Sequence, residues 1–249
     1  MDTHISPTQR LALVTGANKG IGFAVAEGLL GMGMTVYLGA RDTYRGTSAV
    51  STLAARGYDA RFVQLDVTDQ ASVDAAAQTI AHEAGGLDIL VNNAGVLATP
   101  IHKPSRTSVD EMRATYEINV FGVVAVTNAM LPLLRRSQAA RIVNLTSNLG
   151  SVSLAASNRA FPQLLAYNSS KAALNALTVT YANELRAERI LVNAVSPGSV
   201  ATDQNGHAGA LTAAEGALLP IRMATLPAGG PTGTAVTADE DLSQHPLPW

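Results

Sequence analysis

Six short stretches of the chain are apolar nearly throughout: Leu11–Thr15, Thr35–Arg41, Arg61–Val67, Leu87–Asn92, Arg141–Ser147 and Ile190–Ser196. They are rich in Val, Ile and Leu, and most show no alternation of polar and apolar positions. A strand covered on one face would alternate, so these read as strands buried on both faces. Between them apolar residues return at helical spacing, over Ile21–Met32, Ser48–Arg56, Ser72–Glu83, Val109–Leu134 and Leu164–Arg186, with a final helix near Thr212–Thr225. Strand and helix in alternation build a parallel sheet through right-handed crossovers. A further short strand near Gly233–Thr237 would complete it at about seven strands. The pattern predicts a single α/β domain over residues 1–249, a doubly wound parallel sheet with helices on both faces. No solenoid-length repeat or low-complexity linker divides it.

Two stretches break the rhythm. Gly150–Gln163 is polar and small-residue-rich and contains Pro162, and Ser199–Leu211 is rich in Gly, Ala and Ser. In an open α/β sheet the ligand crevice lies outside the carboxyl ends of the strands, and both loops should leave from that edge. They read as substrate walls or lids, with ordinary surface connection as the alternative.

The first strand runs into Thr15-Gly16-Ala17-Asn18-Lys19-Gly20-Ile21-Gly22 and then an apolar helix. Glycines there permit a tight turn and let backbone approach a pyrophosphate, which the start of the helix attracts through free N–H groups and its positive dipole end. The second strand ends in Gly39-Ala40-Arg41-Asp42. An acid facing the ribose would grip the 2′-hydroxyl of NAD, but Ala40 or Arg41 takes that position, with Asp42 a step beyond. Arg41 and Lys19 can both reach a 2′-phosphate, which favours NADPH. Asp66, in Leu65-Asp66-Val67, either bonds an adenine amino group or caps the next turn. Asn92-Asn93-Ala94-Gly95 can stitch strand ends together and pass close beneath a cofactor.

Tyr167-Asn168-Ser169-Ser170-Lys171 opens a long helix, and a tyrosine and lysine four apart share one face. A neighbouring ammonium, with a positively charged nicotinamide, would draw the phenol's pKa from about 10 toward the working pH, suiting it to exchange a proton with a carbonyl oxygen. Ser147, at the end of the fifth strand, can position that carbonyl, with Thr146 and Ser151 as rivals. Asn119 lies in an apolar helix and either holds a water linking Lys171 to solvent or satisfies helix backbone.

Composition narrows the field. Hydrophobic residues make up 47% and charged residues 14%, enough for a sizeable core. The net charge of -2 argues against a nucleic-acid or anionic-membrane partner. With no cysteine there are no disulfides and no thiolate chemistry, and five histidines without an H-E-x-x-H pattern give no case for a metal. The first ten residues carry no apolar leader core, and no later segment is expected to approach a membrane span, so the default location is cytoplasmic.

In their joint order these segments resemble the classical short-chain dehydrogenase/reductase family along nearly the whole chain. The carrying residues are Thr15–Gly22, Asp66, Asn92–Gly95, Asn119, Ser147, Tyr167 with Lys171, and Pro197-Gly198. The resemblance implies a Rossmann fold and a catalytic set of Asn119, Ser147, Tyr167 and Lys171. Tyr167 would be the acid/base, Ser147 would orient the carbonyl, Lys171 would bind the nicotinamide ribose and lower the phenol's pKa, and Asn119 would support a water relay. Cofactor contacts are expected from Gly16, Asn18, Lys19, Gly20, Ile21 and Gly22, from Arg41, Asp66 and Val67, and from Asn93, Ala94 and Gly95. Tyr167, Lys171, Pro197, Gly198, Val200 and Thr202 complete them. Asn18-Lys19, Ala40-Arg41-Asp42 and the ending from Gly230-Pro231-Thr232-Gly233 to Trp249 look like the NADPH-dependent carbonyl reductase branch. That branch implies reduction of a neutral ketone or aldehyde. An idle NADPH-sensing regulator, or reduction of an imine or polyketide intermediate on the same fold, are the alternatives. Two departures bear on assembly as homodimer or homotetramer. The span from Ser147 to Tyr167 exceeds the family's usual gap, and the tail lacks the strand ending in a glycine pair that many tetrameric members use. The loops offer Phe161, Leu164, Leu165, Val200 and Leu211 as apolar walls, with Arg159 and Asp203 as charges able to point inward.

Overall fold

Successive residues of the first strand, β1 (Leu11–Thr15), feed different cores. Ala12 and Val14 enter one apolar cluster, and Leu11 and Leu13 enter another on the opposite side. That explains why apolar residues run on without alternation. Burying a side chain such as Leu13 completely is worth about 2 kcal/mol relative to leaving it in water. The computed structural model describes residues 9–97, 102–158 and 160–249. Arg159 and the first eight residues fall outside them.

The remaining strands are β2 (Thr35–Ala40), β3 (Ala60–Gln64), β4 (Ile89–Asn92), β5 (Arg141–Leu145), β6 (Leu191–Ser196), β7 (Ala235–Ala238) and β8 (Gln244–Pro246). They form one sheet in the order β3-β2-β1-β4-β5-β6-β7-β8, parallel throughout except for antiparallel β8. The succession reverses between β1 and β4, and the crevice of a doubly wound sheet opens at such a switch. Helices α1 (Gly20–Gly31), α2 (Thr43–Ala54) and α8 (Ala213–Ala224) cover one face through Val25, Leu29, Leu53, Leu219 and Met223. On the other lie α3 (Gln70–Ala84), α5 (Gly122–Leu134) and α7 (Leu165–Leu185), through Val73, Ile80, Val126, Met130 and Leu185. Two shorter helices, α4 (Val109–Tyr116) and α6 (Val152–Ser157), complete the set.

Five features differ from the sequence pattern. Helix α2 begins at Thr43 rather than Ser48, because the Asp42 carboxylate accepts from the Arg45 N–H at 2.9 Å and caps it. The long Val109–Leu134 helix contains a wide π turn over Glu117–Phe121, with Asn119 inside it. The Gly150–Gln163 loop holds α6, capped by Ser151, whose hydroxyl accepts from the Leu154 N–H at 3.1 Å. Strand β8 is an eighth, exposed edge strand, too short and polar to register as one. Val109–Leu134 also has the length and mean hydropathy, 1.5, of a membrane-crossing helix, against the expectation that no segment approaches one. Of its most apolar window 56% is buried within the fold, where it packs on α3 and α7.

Candidate active site

The turn after β1 is shaped by its glycines. Gly16 and Gly20 sit at φ +63° and +58°, a region that side chains with a Cβ rarely adopt. A Cβ on Gly22 would lie 2.3 Å from Asn93 Nδ2 and 2.7 Å from the Gly16 carbonyl, so only glycine fits there. Asn93 Nδ2 donates to the Thr15 and Gly16 carbonyls at 2.7 and 3.2 Å, and the Asn93 and Ala94 N–H groups donate to the Thr15 hydroxyl. The end of β4 is thereby stitched to the turn. Asn92, buried, instead reaches Asn144 and Thr127 within the core.

Gly16, Asn18, Lys19, Gly20, Ile21 and Gly22 form one wall of a cleft of about 560 Å³ at the carboxyl edge of the sheet. Ala40, Arg41, Asp66 and Val67 continue it along the ends of β2 and β3. The Asp66 carboxylate accepts from both the N–H and the hydroxyl of Thr68, at 3.0 and 2.7 Å. These bonds hold its carboxyl below the ordinary value, with a smaller pull from the Arg41 charge. Asp66 therefore both shapes the turn and faces the cleft.

The opposite wall comes from α7 and the end of β5. Tyr167 and Lys171 line the same cleft as the glycine turn, with Asn93, Ala94, Gly95 and Val96 as its floor. Lys171 is 5% exposed and donates to the Leu145 carbonyl at 2.8 Å, its Nζ lying 5.7 Å from the centre of the Tyr167 ring. Desolvation lowers its pKa to about 8. Burial also pushes the Tyr167 phenol up, with the Ser147 hydroxyl pulling it down. The sequence had suggested that the ammonium would lower the phenol. In the fold burial dominates, and the group that draws the phenol down is the Ser147 hydroxyl rather than the ammonium.

Ser147 is half-buried, its hydroxyl also accepting from the Leu149 N–H at 3.2 Å. Its two rivals are occupied: Thr146 donates to Asn175, and Ser151 caps α6. Asn119 is fully buried and sits behind the floor rather than on it. Its amide accepts from the Val96 N–H at 2.8 Å and donates to the Val96 carbonyl and the Ser170 hydroxyl. The π turn points this amide at the backbone beyond β4, so its partners are protein groups outside its own helix.

The segment after β6 divides. Pro197 and Thr202 line the cleft, whereas Gly198 and Val200 do not. Gly198 makes a turn at φ +83° that a Cβ would jam against the Ala238 carbonyl at 3.0 Å. Val200, 5% exposed, bridges to Leu211 and packs against Gly216 of α8. The side chains of Val200 and Leu211 thus belong to the core rather than to a lid. The loop beyond them crosses the cleft. Asp203 pairs with Lys19 on the far wall and with His207 at 2.9 Å, and Gln204 donates to the Gly95 carbonyl. Gln204, His207, Ile118 and Thr68 line the cleft without having been foreseen, since loop composition carries no sign of which side chains turn inward.

Comparison with known proteins agrees with this geometry. Residues 10–210 match the family pattern described as short chain dehydrogenase. "Short-chain dehydrogenase/reductase 1" of Saponaria officinalis is 34% identical, over 93% of this chain and 95% of that protein. "Carbonyl reductase [NADPH] 1" of Sus scrofa is 34% identical over 94% and 93%. The crystal structure of NADPH-bound carbonyl reductase from chicken fatty liver superposes with a TM-score of 0.83 at 28% identity, covering 97% of this chain and 99% of that one. With the doubly wound sheet, the glycine turn and the match along four fifths of its length, the chain belongs to the short-chain dehydrogenase family.

Proposed function

We propose that the chain reduces a neutral ketone or aldehyde to the alcohol with NADPH, reversibly, and that Tyr167 is the proton donor. The observation that carries this reading is a single cleft walled by the glycine turn on one side and by Tyr167 and Lys171 on the other. The first wall suits a dinucleotide. The start of α1 has neither a side-chain cap nor an acidic residue in its first turn, leaving its N–H groups and positive end to an anion. The acid nearest the second strand, Asp42, is occupied with capping α2, while the Arg41 guanidinium stands on the rim. That combination favours a 2′-phosphate over a free ribose hydroxyl. Lys19 can join Arg41 only by releasing Asp203. The carbonyl reductase names among the relatives support the same direction.

When bound, the nicotinamide would supply the hydride. Tyr167, kept protonated by burial, is in the form that gives a proton to a carbonyl oxygen as negative charge develops there. Ser147 donates to the same oxygen and orients it. Lys171, with a pKa of about 8, stays mostly cationic at neutral pH and is placed to hold the ribose. Asn119 secures the Val96 backbone, a positioning task. Val96, Ile118 and Leu145, which line the same cleft as the phenol, favour an uncharged substrate.

The test follows cofactor absorbance over a panel of ketones, aldehydes and alcohols with each nicotinamide cofactor supplied separately. NADPH should be preferred. Arg41→Ala should lower the NADPH-to-NADH ratio of kcat/KM by about tenfold to a hundredfold, the worth of a lost charge-assisted contact. An unchanged ratio would remove Arg41 from cofactor selection.

A further inference from the structure

Asn175 lies on α7 four residues beyond Lys171 and eight beyond Tyr167, so the three share one helical face. It is 4% exposed and takes no part in the cleft wall. Its amide is used at both ends. Oδ1 accepts from the Thr146 hydroxyl at 2.7 Å, and Nδ2 donates to the Gly150 carbonyl at 3.2 Å. Thr146 immediately precedes Ser147, and Gly150 closes the turn after it by donating its N–H to the Ser147 carbonyl at 2.9 Å. One side chain therefore grips both flanks of the serine. A Cβ on Gly150 would lie 2.7 Å from the Lys171 backbone carbon and Cβ, so the turn rests directly against the helix at the lysine. From the far side Ser196 accepts from the Asn148 N–H at 3.1 Å. A buried amide is costly unless bonded, and packing alone would be served by leucine.

We infer that Asn175 is a positioning residue for Ser147, fixing the hydroxyl-bearing turn at a set distance from Tyr167 and Lys171. The inference rests on the reduction proposed above, since a misplaced serine matters only if it orients a substrate. Displacements of about 1 Å at a reacting group cost on the order of a hundredfold in rate.

Asn175→Leu should lower kcat of NADPH-driven ketone reduction about tenfold to a hundredfold, with the cofactor Kd within about twofold of wild type. Made in a Ser147→Ala background, the same substitution should cost less than about threefold, because the group it positions is gone. Thr146→Val removes one hydroxyl from the same clamp and should show the same pattern at smaller size; it also decides the matter if Asn175→Leu does not fold. Equal factors with and without the serine hydroxyl overturn the inference. A substrate-free arm separates it from the reaction itself. Amide hydrogen exchange at Leu149, Gly150 and Ser151 should quicken about fivefold or more in either variant, as the turn loosens. Unchanged exchange overturns the positioning role. A wild-type protein that turns over no carbonyl on the panel refutes the proposed reaction alone, and the exchange arm still decides Asn175.

Discussion

Tyr167→Phe should lower turnover about a thousandfold while NADPH binds within about twofold of the wild-type Kd. The substitution removes one oxygen and keeps the ring, so the half-buried side chain still packs on α7 and still lies beneath the Lys171 ammonium. Nothing in the described glycine turn or cleft floor depends on the hydroxyl through a hydrogen bond. What disappears is the proposed proton donor next to Ser147. Single-turnover absorbance gives the rate, and quenching of the protein's fluorescence on titration with NADPH gives the Kd. Retained turnover would move the acid elsewhere. Lost binding would mean that the cleft had been deformed.

Lys171→Met should abolish most turnover yet stabilise the fold at neutral pH. Burial lowers the lysine's pKa from its ordinary 10.5 to about 8, so the unfolded chain holds its proton more tightly than the folded one. The cost of the buried charge is fully present below pH 8, and stability recovers as pH rises from about 8 to 10.5. Methionine keeps the volume and removes the charge, though it gives up the bond to the Leu145 carbonyl. A net gain of about 2 kcal/mol at pH 7 follows from roughly 3 kcal/mol of relieved charge burial less about 1 for the bond. Urea unfolding at pH 7 and pH 10 checks it: the advantage should shrink at the higher pH. Equal stability of both proteins at pH 7 would mean that the ammonium is better solvated than its position implies. The wild-type kcat/KM for reduction should likewise fall as pH rises through about 8 and the lysine loses its charge.

The sheet was legible because five of its first six strands are buried throughout between two apolar layers, with only β3 partly exposed. The edge was not, since β8 is three exposed residues held mainly by pairing with β7. Helix α6 hid inside a polar stretch because six residues carry no periodicity, and the signal that existed was the Ser151 cap. In the site, the glycine turn and the Tyr167–Lys171 spacing could be read directly, since both are local geometry. The inward turn of Gln204 and His207 could not: outside periodic elements, residue type does not fix which way a side chain turns. The pKa values were also out of reach, because they depend on burial that only the fold creates. Asn175 was within reach, as it continues the four-residue spacing of the tyrosine and lysine.

The ties over the cleft, Lys19 to Asp203 and Gln204 to the Gly95 carbonyl, are made by side chains that stand largely in solvent. Ion pairs so placed contribute only about 0–1 kcal/mol. A loop held this lightly should open on ordinary thermal motion without disturbing the two apolar layers. Admitting the nucleotide proposed above would then ask only the few residues between Thr202 and His207 to move, with the sheet left as it is.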